Sequence, residues 1–149
     1  MRIETVRPDE FPELLDVWEA SVGATHDFLA EEDIEYFKPL ILDEYFYLVD
    51  LRCVRGDDGK ILGFSGVAED KLEMLFLRPE ARGNGLGKAL LTYCVDHLGI
   101  TKVDVNEQNP QALGFYLKMG FEIKSRSPVD SLGKPYPILH LELSGNDQR

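Results

Sequence analysis

The sequence predicts a mixed α/β fold in a single domain, and three observations support that reading. Apolar residues switch between alternating, strand-like spacing and helical spacing, in the order strand, two helices, three strands, helix, strand, helix, two strands. A glycine-rich turn at 82–87 sits between a strand pattern and a helix pattern. The 149-residue length suits one domain, able to bury roughly two-thirds of its unfolded surface, and holds neither a repeat nor a linker-like stretch. The expected domain is 1–143, followed by a polar, frayed tail from Ser144 to Arg149.

The elements follow in order. Arg2 to Arg7 alternates in character and reads as an opening strand. Phe11, Leu14, Leu15, Trp18 and Val22 recur at helical spacing behind the start signals Pro8 and Asp9, and Gly23 is the expected stop. A second, acidic helix runs from Ala30 to about Lys38, with Pro39 expected to bend or end it. Tyr45 to Val54 and Ile61 to Glu69 read as strands joined by the turn-rich Arg55 to Lys60, and Leu72 to Leu77 as the third strand of a meander. Leu86, Leu90, Tyr93 or Cys94, and His97 mark one face of a helix that ends at Gly99. Lys102 to Asn106 is a strand; Asn109-Pro110 opens a helix as cap and first residue, and Gly120 stops it. Phe121 to Lys124 and Ile138 to Leu143 close the fold as strands, around a loop containing Gly133, Pro135 and Pro137.

Composition narrows the function classes. A net charge of −11 opposes nucleic-acid binding, which needs a basic face, and suits a cationic substrate such as an amine; solubility alone accounts for it equally well. No apolar run approaches the ~20 residues of a membrane helix, and the N-terminus lacks the apolar core of a secretory signal, so a cytoplasmic protein is expected. Cys53 and Cys94 lie in apolar stretches outside any metal-binding spacing, and His26, His97 and His140 are scattered, so no metal is expected.

The most informative stretch runs from Leu75 to Lys88, where a strand enters a tight turn and a helix starts among glycines. Such a junction aims free N–H groups and the positive end of a helix dipole at one point, which favours an anion. A P-loop would need glycine at position 82 and serine or threonine after Lys88, but the chain has Arg82 and Ala89. A Rossmann turn needs G-x-G-x-x-G, whereas Gly83, Gly85 and Gly87 give G-x-G-x-G after a meander.

What remains, Arg82-x-x-Gly85-x-Gly87, resembles the acyl-CoA loop of the GNAT superfamily of N-acetyltransferases, which reads Gln/Arg-x-x-Gly-x-Gly/Ala between the fourth strand and third helix. Asn109 to Phe121, with Tyr116 ahead of Gly120-Phe121, resembles the same family's strand-five to helix-four segment, in the right order and separation. The resemblance implies a mixed, mostly antiparallel sheet of about seven strands flanked by four helices, splayed between strands four and five. It implies acetyl-CoA as co-substrate, with the diphosphate held by the backbone amides of Arg82, Gly83, Asn84, Gly85, Leu86, Gly87 and Lys88, and pantetheine paired with the backbone of Leu75 and Leu77. Asn109 is expected to contact the cofactor, to cap its helix, or to do both.

The implied reaction is direct attack of a primary amine on the thioester, because neither cysteine falls within the motifs to serve as a covalent nucleophile. By resemblance Tyr116 is the acid that protonates the departing thiolate; packing as a core aromatic is its other reading. A lysine-like amine of pKa ~10.4 is protonated at neutral pH, so a base is needed. Glu73, of the same parity as Leu75 and Leu77, is one candidate and a merely solvated carboxylate is the alternative; His26 and water are others, and Asn106 could fix such a water. Acceptor recognition is expected from the first two helices and the last hairpin, including His26 and Phe28. The Thr-His-x-Phe piece there resembles a subset of small bacterial members whose substrates are mostly unassigned. A small-molecule or peptide amine is the expected partner, with no nucleic acid or membrane; exposed final strands leave a homodimer open. From another class, a CoA-binding sensor or adaptor without turnover would retain the same motifs.

Overall fold

The computed structural model describes residues 2–25 and 30–144, so the expected acceptor contacts His26 and Phe28 lie outside the described residues. Seven strands form one sheet: β1 (Ile3–Thr5), β2 (Asp50–Arg55), β3 (Ile61–Ala68), β4 (Lys71–Leu77), β5 (Lys102–Asn106), β6 (Phe121–Ser127) and β7 (Ile138–Leu143). Their order is β1-β2-β3-β4-β5-β7-β6. Every neighbouring pair is antiparallel except β4–β5. Among the described residues four α-helices flank the sheet: α1 (Phe11–Thr25), α2 (Glu31–Asp43), α3 (Leu86–Leu98) and α4 (Pro110–Lys118). The parallel pair needs a crossover, and α3 supplies it. Among the described residues no helix is long and apolar enough to cross a membrane.

The core has two layers because strand residues alternate between faces. Phe11, Leu14, Val17, Trp18 and Val22 of α1 pack with Cys53, Phe64, Met74 and Phe76 on one face of the sheet. Leu91 and Cys94 of α3 and Tyr116 of α4 pack with Leu72, Val103, Val105, Leu139 and Leu141 on the other.

Four local details differ from the sequence expectation. Gly23 does not end α1, which continues to Thr25; without a positive φ, glycine costs a helix up to about 1 kcal/mol but does not stop it. Pro39 does not end α2 either. It lies on an exposed face, as does Glu35, whose carbonyl loses its partner there and can turn to water, while buried Ile41 anchors the last turn. Tyr45–Leu48 forms a 3-10 turn rather than a strand. Phe46 is buried against the rings of Phe11 and Phe64 (5.2 and 5.8 Å) while Tyr47 and Leu48 are exposed, a pattern no alternating strand gives. At the other end, β6 extends to Ser127, and Ser144 is still bonded to Gly120 O through both its amide and its hydroxyl (each 2.9 Å).

Candidate active site

The site begins with a fault in the sheet. Strand β4 pairs with β3 at Val67–Leu72 and then at Gly66–Met74, so Glu73 is an extra residue without a partner, a β-bulge. The bulge resets the face alternation: Leu72 and Leu75 both pack toward α3, while Met74 and Phe76 pack toward α1. The parity that groups Glu73 with Leu75 and Leu77 therefore does not hold through this point. Beside the bulge, β4 and β5 pair only at Lys71–Lys102 and Leu72–Val103, and then separate. A cleft of about 410 Å³ opens between them, walled by Leu72–Leu77, Val103–Asn106, the turn after β4, and α4 residues including Ala112, Phe115 and Tyr116.

The turn presents its main chain to this cleft. Arg82 N donates to Pro79 O (3.3 Å) and Ala89 N to Gly85 O (3.0 Å), and among the described residues the six amides from Gly83 to Lys88 have no acceptor. Leu86, Gly87 and Lys88 are the first residues of α3, whose intrahelical acceptors do not exist. Gly83 and Gly85 reach this geometry at φ +83° and +78°, in the left-handed region costly for other residues. Gly85 is also the N-terminal cap of α3 and offers no side chain to satisfy those donors. The positive end of α3 thus faces the cleft with a row of free N–H groups, a donor set that fits a diphosphate. Arg82 stands just outside the row: its amide is engaged, and its guanidinium donates to Ser21 Oγ (3.1 Å), fastening the turn to α1. Asn84 is exposed and not part of the cleft wall; its amide is what it adds to the row.

On the opposite wall, Asn109 Oδ1 accepts from Ala112 N (3.2 Å), the capping bond expected from the Asn-Pro pair. Asn106 Oδ1 accepts from Gln108 N (2.8 Å), so its carbonyl serves the turn before α4 rather than the cleft. Tyr116 is 7% exposed, its ring packed on Phe115 and Phe121 (centroids 5.1 and 5.8 Å apart). Burial pushes its phenol well above the ordinary tyrosine range, so it is neutral and able to donate. Among the described residues nothing hydrogen-bonds that hydroxyl, and the residue lines the cleft. Both readings of Tyr116 therefore describe the same side chain: a core ring with an uncommitted donor.

Glu73 lines the cleft with its side chain 38% exposed, Oε2 4.0 Å from Lys71 Nζ. The same ammonium lies 2.5 Å from Asp104 Oδ2, and Asp104 also lines the cleft. Lys71 and Asp104 carry no sequence motif; only the strand register brings them together. The two cysteines are buried in different layers, and burial raises both thiols, which disfavours a thiolate nucleophile. Among the described residues no three His, Cys, Asp or Glu side chains are grouped to hold a metal ion. On the acceptor side, the loop between β6 and β7 is pinned to the start of α2. Tyr136 donates its hydroxyl hydrogen to Asp33, and Lys134 Nζ lies 2.8 Å from Asp33 Oδ1.

Comparison with known proteins agrees with this geometry. Residues 43–123 match the family model described as an acetyltransferase (GNAT) domain. The chain is 38% identical over 141 residues to the peptidyl-lysine N-acetyltransferase YjaB of Salmonella typhimurium, covering 95% of this chain and 97% of that protein. It is 37% identical to the Escherichia coli protein of the same name, over 96% of this chain and 97% of that one. The solution structure of apo YjaB from Escherichia coli superposes with a TM-score of 0.86, covering 97% of both chains. A coenzyme A complex of an N-acetyltransferase from Thermoplasma acidophilum shares the fold at 22% identity and a TM-score of 0.74, over 95% of this chain and 98% of that one. By the family match and these relatives, the chain belongs to the GNAT acetyltransferases and is an N-acetyltransferase.

Proposed function

We propose that the protein acetylates the side-chain amine of lysine in a protein or peptide, using acetyl-CoA in a ternary complex. The observation that carries this reading is the row of unpaired amides from Gly83 to Lys88, five of them on residues that wall the cleft, which the neutral Tyr116 phenol also lines. Bound acetyl-CoA would supply an activated acyl group as its thioester. The amides and the α3 dipole would grip its diphosphate. The edge of β4 beyond Leu72 has no β5 partner, so the main chain at Leu75 and Leu77 is available to pair with pantetheine amides as an added strand.

Within that frame each residue has one task. The Tyr116 hydroxyl would donate to the sulfur as it acquires charge, because a buried, neutral phenol is a donor and not a competing base. Glu73 would receive the acceptor's ammonium at the mouth of the splay. His26 and Phe28 are proposed acceptor contacts on resemblance alone. Burial raises both thiols, which disfavours a cysteine nucleophile and supports direct attack by nitrogen. Lysine as the acceptor is supported by the names of the YjaB relatives and by the net charge of −11, which draws cations. An acetyl-CoA donor and free, reduced cysteines suit the cytoplasm.

The test is thiol release from acetyl-CoA with lysine-containing peptides, followed by mass spectrometry of the peptide. Tyr116→Phe removes only the donor, so kcat should fall by ~10²-fold or more with little change in CoA affinity. Equal rates for wild type and Tyr116→Phe would remove the phenol from the mechanism.

A further inference from the structure

The carboxylate that would receive the acceptor has a competitor on its own strand. Lys71 precedes Glu73 by two positions, and its Nζ lies 4.0 Å from Glu73 Oε2. Among the described residues Glu73 has no other ion-pair partner. Lys71 is chemically the same group as a lysine acceptor, an ammonium on a flexible four-carbon stem. Paired tightly with Glu73, it would fill the place that the incoming ammonium needs. It is drawn off instead: Lys71 Nζ lies 2.5 Å from Asp104 Oδ2. Asp104 is the first β5 residue beyond the last β4–β5 pair, Leu72–Val103, and lines the cleft as Glu73 does. Its other oxygen is fixed from behind. Asp104 Oδ1 contacts His140 Nδ1 of β7 (2.8 Å), and His140 Nε2 contacts Ser127 Oγ of β6 (2.7 Å). Lys102, the other cation at this end of the ladder, is paired with Asp70 (3.5 Å).

We propose that Asp104 is a positioning residue for acceptor binding: it sequesters Lys71 and so keeps Glu73 open to the substrate's ammonium. This inference rests on the reading that Glu73 receives the acceptor. The distances decide which carboxylate holds Lys71. A contact of 2.5 Å is a charge-assisted hydrogen bond, whereas 4.0 Å is beyond hydrogen-bond reach and leaves only a screened attraction. Both Asp104 oxygens are engaged, one by Lys71 and one by His140, so Asp104 has little left to offer a substrate and acts through the lysine. Lys71, Glu73 and Asp104 together carry one uncompensated negative charge, and the geometry leaves it on Glu73. The arrangement is conditional. With the Asp104 charge removed, Glu73 is the nearest remaining carboxylate, and rotation about the Lys71 side-chain bonds reaches it without moving the strand. The protein's own lysine then competes with the acceptor for one carboxylate.

The experiment is a double-substitution cycle with acetyl-CoA and a lysine peptide, joined to a measurement independent of turnover. Asp104→Asn should raise the peptide KM about fivefold, the scale of a partly exposed ion pair, with kcat within about twofold and CoA affinity unchanged by calorimetry. Lys71→Met alone should leave KM within about twofold, and adding it to Asp104→Asn should restore the wild-type value. A purely structural role for Asp104 would not be rescued in this way. If Asp104 acted only through the general field, the two effects would add, with Lys71→Met lowering KM by the factor that Asp104→Asn raises it. Additivity, or no rescue, overturns the proposal. In nitrogen-detected NMR of the lysine ammonium groups, the Lys71 signal should be unmoved by Glu73→Gln in the otherwise wild-type protein, because Asp104 holds it. A Lys71 signal that already responds to Glu73→Gln would overturn the proposal whether or not the Asp104 variant folds. Glu73→Gln should itself raise the peptide KM. An unchanged KM there would remove Glu73 from acceptor binding and this inference with it, whereas a clear Glu73 effect without rescue overturns the inference alone.

Discussion

Placing a carboxylate in the amide row separates cofactor binding from folding more cleanly than any other change, and Gly85→Asp does so. A Cβ built at Gly85 meets nothing within 4 Å, so the side chain fits without displacing a neighbour. The backbone stands at φ +78°, a conformation that costs an ordinary residue ~1–2 kcal/mol and aspartate somewhat less. A negative charge at the start of α3 returns ~0.3–1 kcal/mol through the helix dipole. The net stability change is therefore about 1 kcal/mol or less, a Tm shift of roughly 2–4 °C for a domain of this size. The effect on CoA is larger. The new carboxylate stands within ~5 Å of where the diphosphate would bind, and at an effective dielectric of ~20–80 each charge pair costs ~1–3 kcal/mol. Competition for even one of the six donors removes a charge-assisted hydrogen bond worth ~1.5–3 kcal/mol. Together these give at least ~3 kcal/mol, or more than ~100-fold in Kd. Titration calorimetry with CoA, paired with a thermal melt, reads both quantities. An affinity within tenfold of wild type, in a protein that melts normally, would refute the amide row as the diphosphate site.

Two further changes test how the site is supported. Arg82→Ala removes the bond from the guanidinium to Ser21 Oγ and frees the turn from α1; it should lower Tm by a few degrees and weaken CoA by about tenfold, read in the same two assays. Asp33→Asn tests the tie between α2 and the last loop. Lys134 first and Tyr136 second hold the Asp33 carboxyl below the usual aspartate range, so its contribution is present above pH ~4 and disappears as pH falls through the lowered value. The Tm difference between wild type and variant should accordingly be largest near neutrality and shrink as pH falls through the lowered value, and a difference that grows on acidification would contradict the assignment.

How much of this was legible beforehand depends on the range of the interaction involved. The seven strands, the four helices and the glycine turn follow from local periodicity and from residues adjacent in sequence, as does the Asn109 cap. Pro39 and Tyr45–Leu48 were misread because burial elsewhere overrode local signals: Ile41 holds the end of α2, and Phe46 is drawn into an aromatic cluster with residues from other elements. The Lys71–Asp104–His140–Ser127 chain could not be read at all. Its members sit on four strands separated by up to 69 positions, and one register slip would turn each side chain to the other face.

The bulge at Glu73 ties these levels together and explains why the cleft lies where it does. Parallel strands normally continue their ladder as long as both remain extended, and leaving it unpaired exposes a row of main-chain groups. Here pairing stops after Leu72, immediately before the extra residue, and the same residue restores Leu75 and Leu77 to the α3 side. Removing the surplus residue by deleting Glu73 would let Met74 follow Leu72 in regular alternation. The β4–β5 ladder could then extend past Leu72, consuming the edge on which pantetheine is proposed to lie. The deletion therefore closes the cleft for a geometric reason, whereas Glu73→Ala keeps the bulge and only removes a carboxylate. CoA binding should survive the substitution and be lost in the deletion variant. Equal CoA affinity in both would mean that the splay is imposed by the helices and not by the strand.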